Sequence, residues 1–235
     1  MKSLIVIPTY NEEENIRPLL NEICKVLTDV NFSILIVDDS PGDLTIEEAK
    51  KSVCNNLFFI KRNAKKGLAS AYIEGMQFGI NNKYDYIIEF DADFSHNPKY
   101  LPQMIKELDN NDVVIGSRNI KGGSVTGWGF LRNLISKGGS IYSKIILSCP
   151  INDLTGGFNG WKREILEKIG LKNIISNGYC FQIEMKYRAY LLNAKIKEFP
   201  IVFKDRLYGV SKMNKSIFIE ALFNILKLRF SERKK

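Results

Sequence analysis

The residues of this 235-residue chain with the clearest capacity for chemistry are Asp91-Ala92-Asp93, which follow the apolar run 86–90. Alternate carboxylates at the end of a strand can face one cleft and hold a hard divalent cation through oxygen. By itself an Asp-x-Asp reads first as a solvated turn. Its weight rises because Asp38 and Asp39 close a second apolar run, 33–37, so that four acids gather at strand ends of a chain with a net charge of +8. Acids gathered in a basic chain suit a metal ion or a sugar nucleotide.

Other chemistries lack their residues. No Gly-x-Gly-x-x-Gly follows the first apolar run and no Gly-x4-Gly-Lys-[Ser/Thr] exists, which disfavours a dinucleotide dehydrogenase and a Walker-type NTPase. His96 is the single histidine, and with no Gly-x-Ser-x-Gly elbow a Ser/His/Asp hydrolase is poorly served. His96, just before Asn97-Pro98, reads as a turn or helix-start residue rather than a base. Zinc-ligand spacing, RNP aromatics and a long basic helix are all missing, so no nucleic-acid partner is expected. What remains is metal-assisted transfer from a phosphorylated donor.

The elements that must position these groups follow from periodicity. Residues 4–7 and 33–37 are short apolar runs closed by Pro8 and by Asp38-Asp39, as buried parallel strands would be, and Ile16, Leu19, Leu20, Ile23 and Leu27 between them fall at helical spacing. The alternation continues with helices at 47–52, 69–80 and 101–109 and strands at 57–60, 86–90 and 113–115. This predicts an α/β fold with a doubly wound, mostly parallel sheet flanked by helices. Sites in such sheets lie beyond the carboxyl ends of the strands, where 8–12, 38–40, 91–93 and 116–118 would converge. The second half is less regular: glycine pairs at 122–123, 138–139 and 156–157, helices near 135–147 and 182–192, and a strand at 201–203.

Apolar residues are 45% of the chain and charged ones 26%, which suits one large globular domain. The positive excess lies mainly at the C-terminus, where residues 196–235 hold ten Lys/Arg against four Asp/Glu. Phosphate or an anionic membrane surface explains that charge. Residues 217–230 are predicted as a helix, apolar except for a stripe of Glu220, Asn224, Lys227 and Ser231. It would dock on its own domain, on a membrane interface or on a partner's hydrophobic segment, with Arg229, Arg233, Lys234 and Lys235 near anionic headgroups. No run approaches the ~18 apolar residues of a membrane span. Four scattered cysteines without a CxxC pair, and an opening that meets Pro8 too early for a signal peptide, suggest a reducing, cytosolic setting.

Pro8-Thr9-Tyr10-Asn11-Glu12, Val37-Asp38-Asp39, Gly67 with Ala69, the run from Asp91 to Pro98, and Ser117-Arg118 resemble, in order and spacing, the inverting glycosyltransferases of family 2. Later strings resemble the branch that loads mannose onto dolichyl or polyprenyl phosphate: Gly122-Gly123, Gly127-Trp128, Arg132, Ser136, 153–158, 178–184, 198–201 and 205–212. The form resembled is the one without membrane-spanning helices, which in some organisms relies on a small membrane-anchoring subunit. The resemblance implies a GT-A-type nucleotide-sugar-binding fold over residues 1–212, with 213–235 as the amphipathic basic helix. The proline and glycine of 38–45 stand one place forward of the family pattern, which leaves both acids in place.

What the resemblance implies about the site is specific. Pro8, Tyr10, Glu12, Ile36 and Asp38 would hold guanosine and ribose of GDP-mannose; Asp91, Ala92 and Asp93 would hold its diphosphate through Mg²⁺ or Mn²⁺. Arg118, Arg206 and Lys212 would meet donor or acceptor phosphates, with Asp91, Asp93, Arg118 and Arg206 as the catalytic set. Arg132 and Ser136 would engage the lipid phosphate. The implied enzyme works at the cytosolic face of a membrane as a peripheral protein. Two alternatives are a UDP-glucose-dependent glucosyltransferase acting on the same acceptor and a non-catalytic nucleotide-sugar-binding subunit.

Overall fold

The computed structural model describes residues 1–62, 64–176, 178–205 and 223–230, with the side chains of 130–133 and 179 left aside. Among the described residues, nine strands and seven α-helices precede the helical segment 223–230, beginning with β1 (Ser3–Thr9), α1 (Glu13–Val26), β2 (Phe32–Asp38), α2 (Leu44–Lys50), β3 (Leu57–Lys61), α3 (Leu68–Asn81), β4 (Tyr86–Glu89), α4 (Leu101–Leu108) and β5 (Val113–Ser117). The second half continues with β6 (Ser124–Thr126), α5 (Phe130–Leu147), β7 (Asn159–Lys162), α6 (Arg163–Ile169), α7 (Tyr179–Leu191), β8 (Ile196–Pro200) and β9 (Val202–Lys204).

Seven strands form one sheet in the order β3-β2-β1-β4-β7-β5-β8, with β7 antiparallel to both neighbours and every other pairing parallel. β6 and β9 pair separately. The apolar strands are buried on both faces, which is why they read as continuous runs rather than alternations. In β1, Leu4 and Val6 join the core under α3, while Ile5 and Ile7 join the core under α1. Helix α3 lies close on the sheet because Gly79 leaves no side chain there: an added Cβ would come within 2.7 Å of Ile87. The chain winds outward from β1 to β3, then returns to place β4 on the other side of β1. That reversal between β1 and β4 opens a crevice at their carboxyl ends.

The predicted strands and helices of the first half are all present, with bounds shifted by a few residues. Sequence periodicity missed β6, β7, α6 and β8. β7 is only four residues with Gly160 in its middle, and a Cβ there would press on Leu108 and Met104. One expectation is corrected: Cys24 and Cys54 are not separate thiols but are joined by a disulfide, their Cα atoms 5.9 Å apart. Thirty residues of sequence separation concealed the approach of the end of α1 to the turn before β3. Cys149 and Cys180 are buried thiols outside that disulfide.

Residues 223–230 are helical, as predicted for the described part of 217–230. They dock on their own domain: Ile225 and Leu228 enter the core beside Leu147 and Tyr187. Arg229 donates to the carbonyl of Leu147 (3.1 Å) and to the hydroxyls of Tyr187 (3.3 Å) and Ser148 (3.2 Å). Phe223 and Phe230 stay exposed. No helix among the described residues is long and apolar enough to cross a membrane.

Candidate active site

The loop after β4 carries Asp91-Ala92-Asp93 into the crevice. Phe94 closes the turn at φ 60°, a left-handed conformation that a bulky residue adopts only when its surroundings enforce it. Asp93 Oδ1 accepts the Ser95 amide at 3.0 Å, which shapes the turn. Asp91 Oδ1 accepts the Tyr72 hydroxyl of α3 at 2.7 Å, and Tyr72 in turn stacks on Phe181 of α7. Burial beside Asp91 pushes the Tyr72 phenol well above its ordinary range, so it stays a donor. Asp91 Oδ2 lies 3.8 Å from His96 Nδ1. His96 is buried against Phe158, Phe90 and Phe203, and burial lowers its pKa, so it stands as a neutral ring in an aromatic nest rather than a base in the crevice.

On the far side of β1, Asp38 and Asp39 end β2. Asp38 is fully buried; its Oδ1 accepts the hydroxyls of Thr9 (2.7 Å) and Ser40 (2.6 Å), and its Oδ2 accepts Lys61 Nζ (2.9 Å). Burial raises its pKa, but the Ser40, Lys61 and Thr9 hydrogen bonds outweigh that and the net shift is downward. Asp39 is forked by Arg62, with Nη2 to Oδ2 at 2.6 Å, and accepts the Lys66 amide at 3.1 Å. Between these groups lies a cleft of about 300 Å³ lined by Tyr10, Asp39, Ser40, Pro41, Lys61, Arg62, Ala64 and Lys65. Lys65 Nζ stands 3.7 Å from the centre of the Tyr10 ring. Pro8 and Tyr10 are half-buried at the mouth, and Glu12 accepts from Asn15 Nδ2 at 2.8 Å at the start of α1. Ile36 sits in the core on the α1 face of the sheet.

At the end of β5, Arg118 turns back onto Asp153 in a two-pronged ion pair, Nε to Oδ2 and Nη2 to Oδ1 both at 2.7 Å, and its amide adds a third bond at 2.9 Å. Nη2 also reaches Thr155 Oγ1 at 2.9 Å. Burial pushes the Asp153 carboxyl up, yet the Arg118 charge and donors overcome it and hold the group well below the ordinary carboxylate range. The guanidinium packs 5.4 Å from the Phe203 ring and 6.0 Å from Trp128. Ser136 lies on α5, half-buried, and Arg132 is on its first turn. Arg206 and Lys212 lie outside the described residues.

The crevice therefore brings together Pro8, Tyr10, Asp38, Asp91, Ala92, Asp93 and their neighbours. Sequence reasoning missed Lys61, Arg62 and Lys65 as lining groups, Tyr72 as the partner of Asp91, and Asp153 as the anchor of Arg118. Basic residues right after a strand, as in Lys61-Arg62, are a signal that could have flagged the first two. The pairings of Tyr72 and Asp153 had none, because they span 19 and 35 residues of sequence.

A mostly parallel sheet with an antiparallel insertion, an Asp-Ala-Asp loop at its switch point and a basic cleft across β1 defines the GT-A class of nucleotide-sugar enzymes. A family model for glycosyl transferase family 2 matches residues 4–170, and the chain belongs to that family of glycosyltransferases. It is 37% identical over 228 residues to a polyprenol monophosphomannose synthase of Mycolicibacterium smegmatis, covering 95% of this chain and 85% of that one. It is 36% identical over 235 residues to an undecaprenyl-phosphate mannosyltransferase of Micrococcus luteus, covering 99% and 96%. Among solved structures, glucosyl-3-phosphoglycerate synthase of Mycobacterium tuberculosis in complex with Mn²⁺, UDP and glucosyl-3-phosphoglycerate matches with a TM-score of 0.68 over 98% of this chain and 79% of that one. At 17% identity, that likeness speaks for the fold.

Proposed function

We propose that the enzyme transfers mannose from GDP-mannose to a dolichyl or polyprenyl phosphate, with inversion at the anomeric carbon. The observation that carries this reading is near-full-length identity of 36–37% to two enzymes named for polyprenyl-phosphate mannose transfer, joined to an Asp-Ala-Asp loop at the switch point. The cleft beside Tyr10 and Lys65 is the place for the nucleoside: an aromatic ring, a cation and the Asp38–Lys61 pair flank it.

Asp91 and Asp93 fit a divalent ion. Tyr72 fixes one oxygen of Asp91, the turn fixes Asp93, and no cluster of three or more His, Cys, Asp or Glu among the described residues could hold a metal by protein ligands alone. Two carboxylates with the rest supplied by phosphate and water is the arrangement Mg²⁺ and Mn²⁺ accept. Such an ion would neutralise charge developing on the departing diphosphate.

The chain's own groups do the rest. The acceptor phosphate is anionic near neutral pH, so no strong base is needed, in keeping with a neutral His96 walled off by aromatics. Arg118, whose Nε and Nη2 edge is taken up by Asp153, would contribute its positive charge rather than an open fork to the phosphates. Arg206 and Lys212 would add positive charge, and Arg132 with Ser136 would seat the lipid phosphate opposite the leaving group. Positioning and electrostatics carry the rate.

The acceptor's lipid tail calls for a bilayer, and one surface suits it. Leu134, Ile141 and Ile145 form an exposed stripe along α5, and Arg229 ties residues 223–230, which carry exposed Phe223 and Phe230, to the end of that helix. The reading is of a peripheral protein at the cytosolic membrane face that a small membrane subunit could further anchor. UDP-glucose is the alternative donor, which the assay below sets against GDP-mannose.

The test is transfer of labelled sugar to a short polyprenyl phosphate, with GDP-mannose and UDP-glucose in parallel and EDTA as control. Metal-dependent mannose transfer is expected. Glucose transfer would overturn the donor, and turnover unaffected by EDTA would overturn the role of Asp91 and Asp93.

A further inference from the structure

Lys186 is a charged group for which the proposed reaction has no use, and it is wholly buried. It projects from α7 beneath the loop between α5 and β7. Its Nζ donates to the carbonyls of Asp153 (2.8 Å), Leu154 (3.3 Å) and Gly156 (2.7 Å). An ammonium has three N–H bonds, so one loop absorbs all of them. Burial drives its pKa down against the opposing charges of Asp153 and Glu89. Taking a lysine out of water is expensive, and three aligned carbonyl acceptors are what offsets it here.

What this loop touches gives the contact its meaning. Asp153 forks Arg118. Thr155 bonds Arg118 Nη2 at 2.9 Å and Ser140 Oγ of α5 at 3.0 Å. Asn152 and Asp153 give their amides to Glu198 of β8 at 2.9 and 3.0 Å. Gly157 lies so near the Asp-Ala-Asp turn that a Cβ there would stand 3.7 Å from Asp91 Oδ2. Asp153 and Thr155 thus contact Arg118 and Ser140 of α5, and Gly157 lies beside Asp91. Glu89, two residues before Asp91, completes the floor by accepting from Trp161 Nε1 (2.8 Å), Asn159 Nδ2 (3.2 Å) and Gln182.

We propose that Lys186 is a positioning residue: by clamping the carbonyls of Asp153, Leu154 and Gly156 it fixes the loop that sets Arg118 and α5 relative to one another. It touches no substrate and acts through the loop alone. The catalytic half of the inference rests on the proposed reading of Arg118 and α5 as donor- and acceptor-phosphate groups; the mechanical half does not.

The experiment compares full-length wild type with Lys186→Met, which keeps volume without N–H groups, and Lys186→Gln, which keeps two. Amide hydrogen exchange without substrate reads the clamp. Losing charged hydrogen bonds is expected to speed exchange at 153–158 by about tenfold or more in the methionine variant, and less in the glutamine variant, with β1 and β2 unchanged. Unchanged exchange at 153–158 in both variants would overturn the clamp, as would equal acceleration throughout the sheet. The glutamine variant keeps this decisive if the methionine variant does not fold.

Kinetics read the coupling. Lys186→Met is expected to lower kcat by about a hundredfold with donor KM within about threefold, since misplacement of about 1 Å costs that much. Added to Arg118→Lys, the same change should lower kcat by less than about threefold more. A full hundredfold loss in that background would overturn action through Arg118. Ser140→Ala should raise the KM for polyprenyl phosphate about tenfold while donor KM holds, as the loss of one hydrogen bond to an ordering group allows; wild-type values would overturn the link to α5. If wild type turned over neither GDP-mannose nor UDP-glucose, the substrate reading would fall while the exchange data still decided the clamp.

Discussion

The two halves of the crevice hold their charged groups by different means. On the β1–β4 side, Asp38, Asp39, Asp91 and Asp93 sit at strand ends whose register is fixed by parallel pairing, Thr9 opposite Asp38 among them. Backbone geometry delivers them, and each then takes its own partner: Thr9 and Lys61 at Asp38, Arg62 at Asp39, Tyr72 at Asp91 and the turn at Asp93. On the side of β5, β7 and β8, Arg118 owes its place to Asp153, Asp153 to a loop, and the loop to Lys186 and Glu198. That side is a chain of buried side-chain contacts, in which each member depends on the next. Loss of one polar partner should therefore stay local on the first side and pass along the series of contacts on the second.

The largest effect expected is on the first half's chemistry. Asp93→Ala should lower metal-dependent transfer by at least about a thousandfold by removing a ligand, with a melting temperature near that of wild type because Asp93 is only half-buried. Normal activity of the folded variant would remove the metal role.

Next comes the buried pair of the second half. Asp153→Asn should destabilise the fold by about 3 kcal/mol at pH 7, since it leaves Arg118 buried opposite a neutral partner. Chemical denaturation measures this. The acid limb carries the same information. Asp153 and Asp38 both have folded-state pKa values below the unfolded 3.8, so each adds stability that is present above about pH 4 and lost as pH falls further. The variant should show a shallower loss between about pH 4 and pH 2. An unchanged acid limb would mean that Asp153 does not carry it.

Tyr72→Phe probes the place where the halves meet, since Tyr72 holds Asp91 and stacks on α7. The metal concentration for half-maximal activity should rise about tenfold, and direct Mn²⁺ binding with GDP present should weaken alike. Equal binding by both proteins would show that the turn alone orients Asp91. The smallest effect concerns the periphery: ending the chain after Asn214 should weaken binding to anionic liposomes several-fold while turnover of a short soluble acceptor changes less. Equal liposome binding would assign membrane contact to α5.

Much of this was legible in the sequence. The buried strands of the first half are short apolar runs closed by polar residues, and a parallel sheet puts such closures on one edge, so Asp38, Asp39, Asp91 and Asp93 could be placed together without coordinates. The motifs from Pro8 to Arg118 gave the family, and the family model covers them. The second half was less legible for a physical reason. β7 is four residues with a central glycine, and β8 mixes Lys197 and Glu198 into its run, so neither shows the period that marks a strand.

Sequence alone thus determined which residues end the parallel strands, because burial on both faces dictates composition locally. Tertiary structure alone decided which partner each buried charge found. Asp91 meets Tyr72, Arg118 meets Asp153, and Lys186 meets three carbonyls. Such pairings answer the high cost of an unpaired polar group in the interior, and that cost is settled only when distant segments have packed.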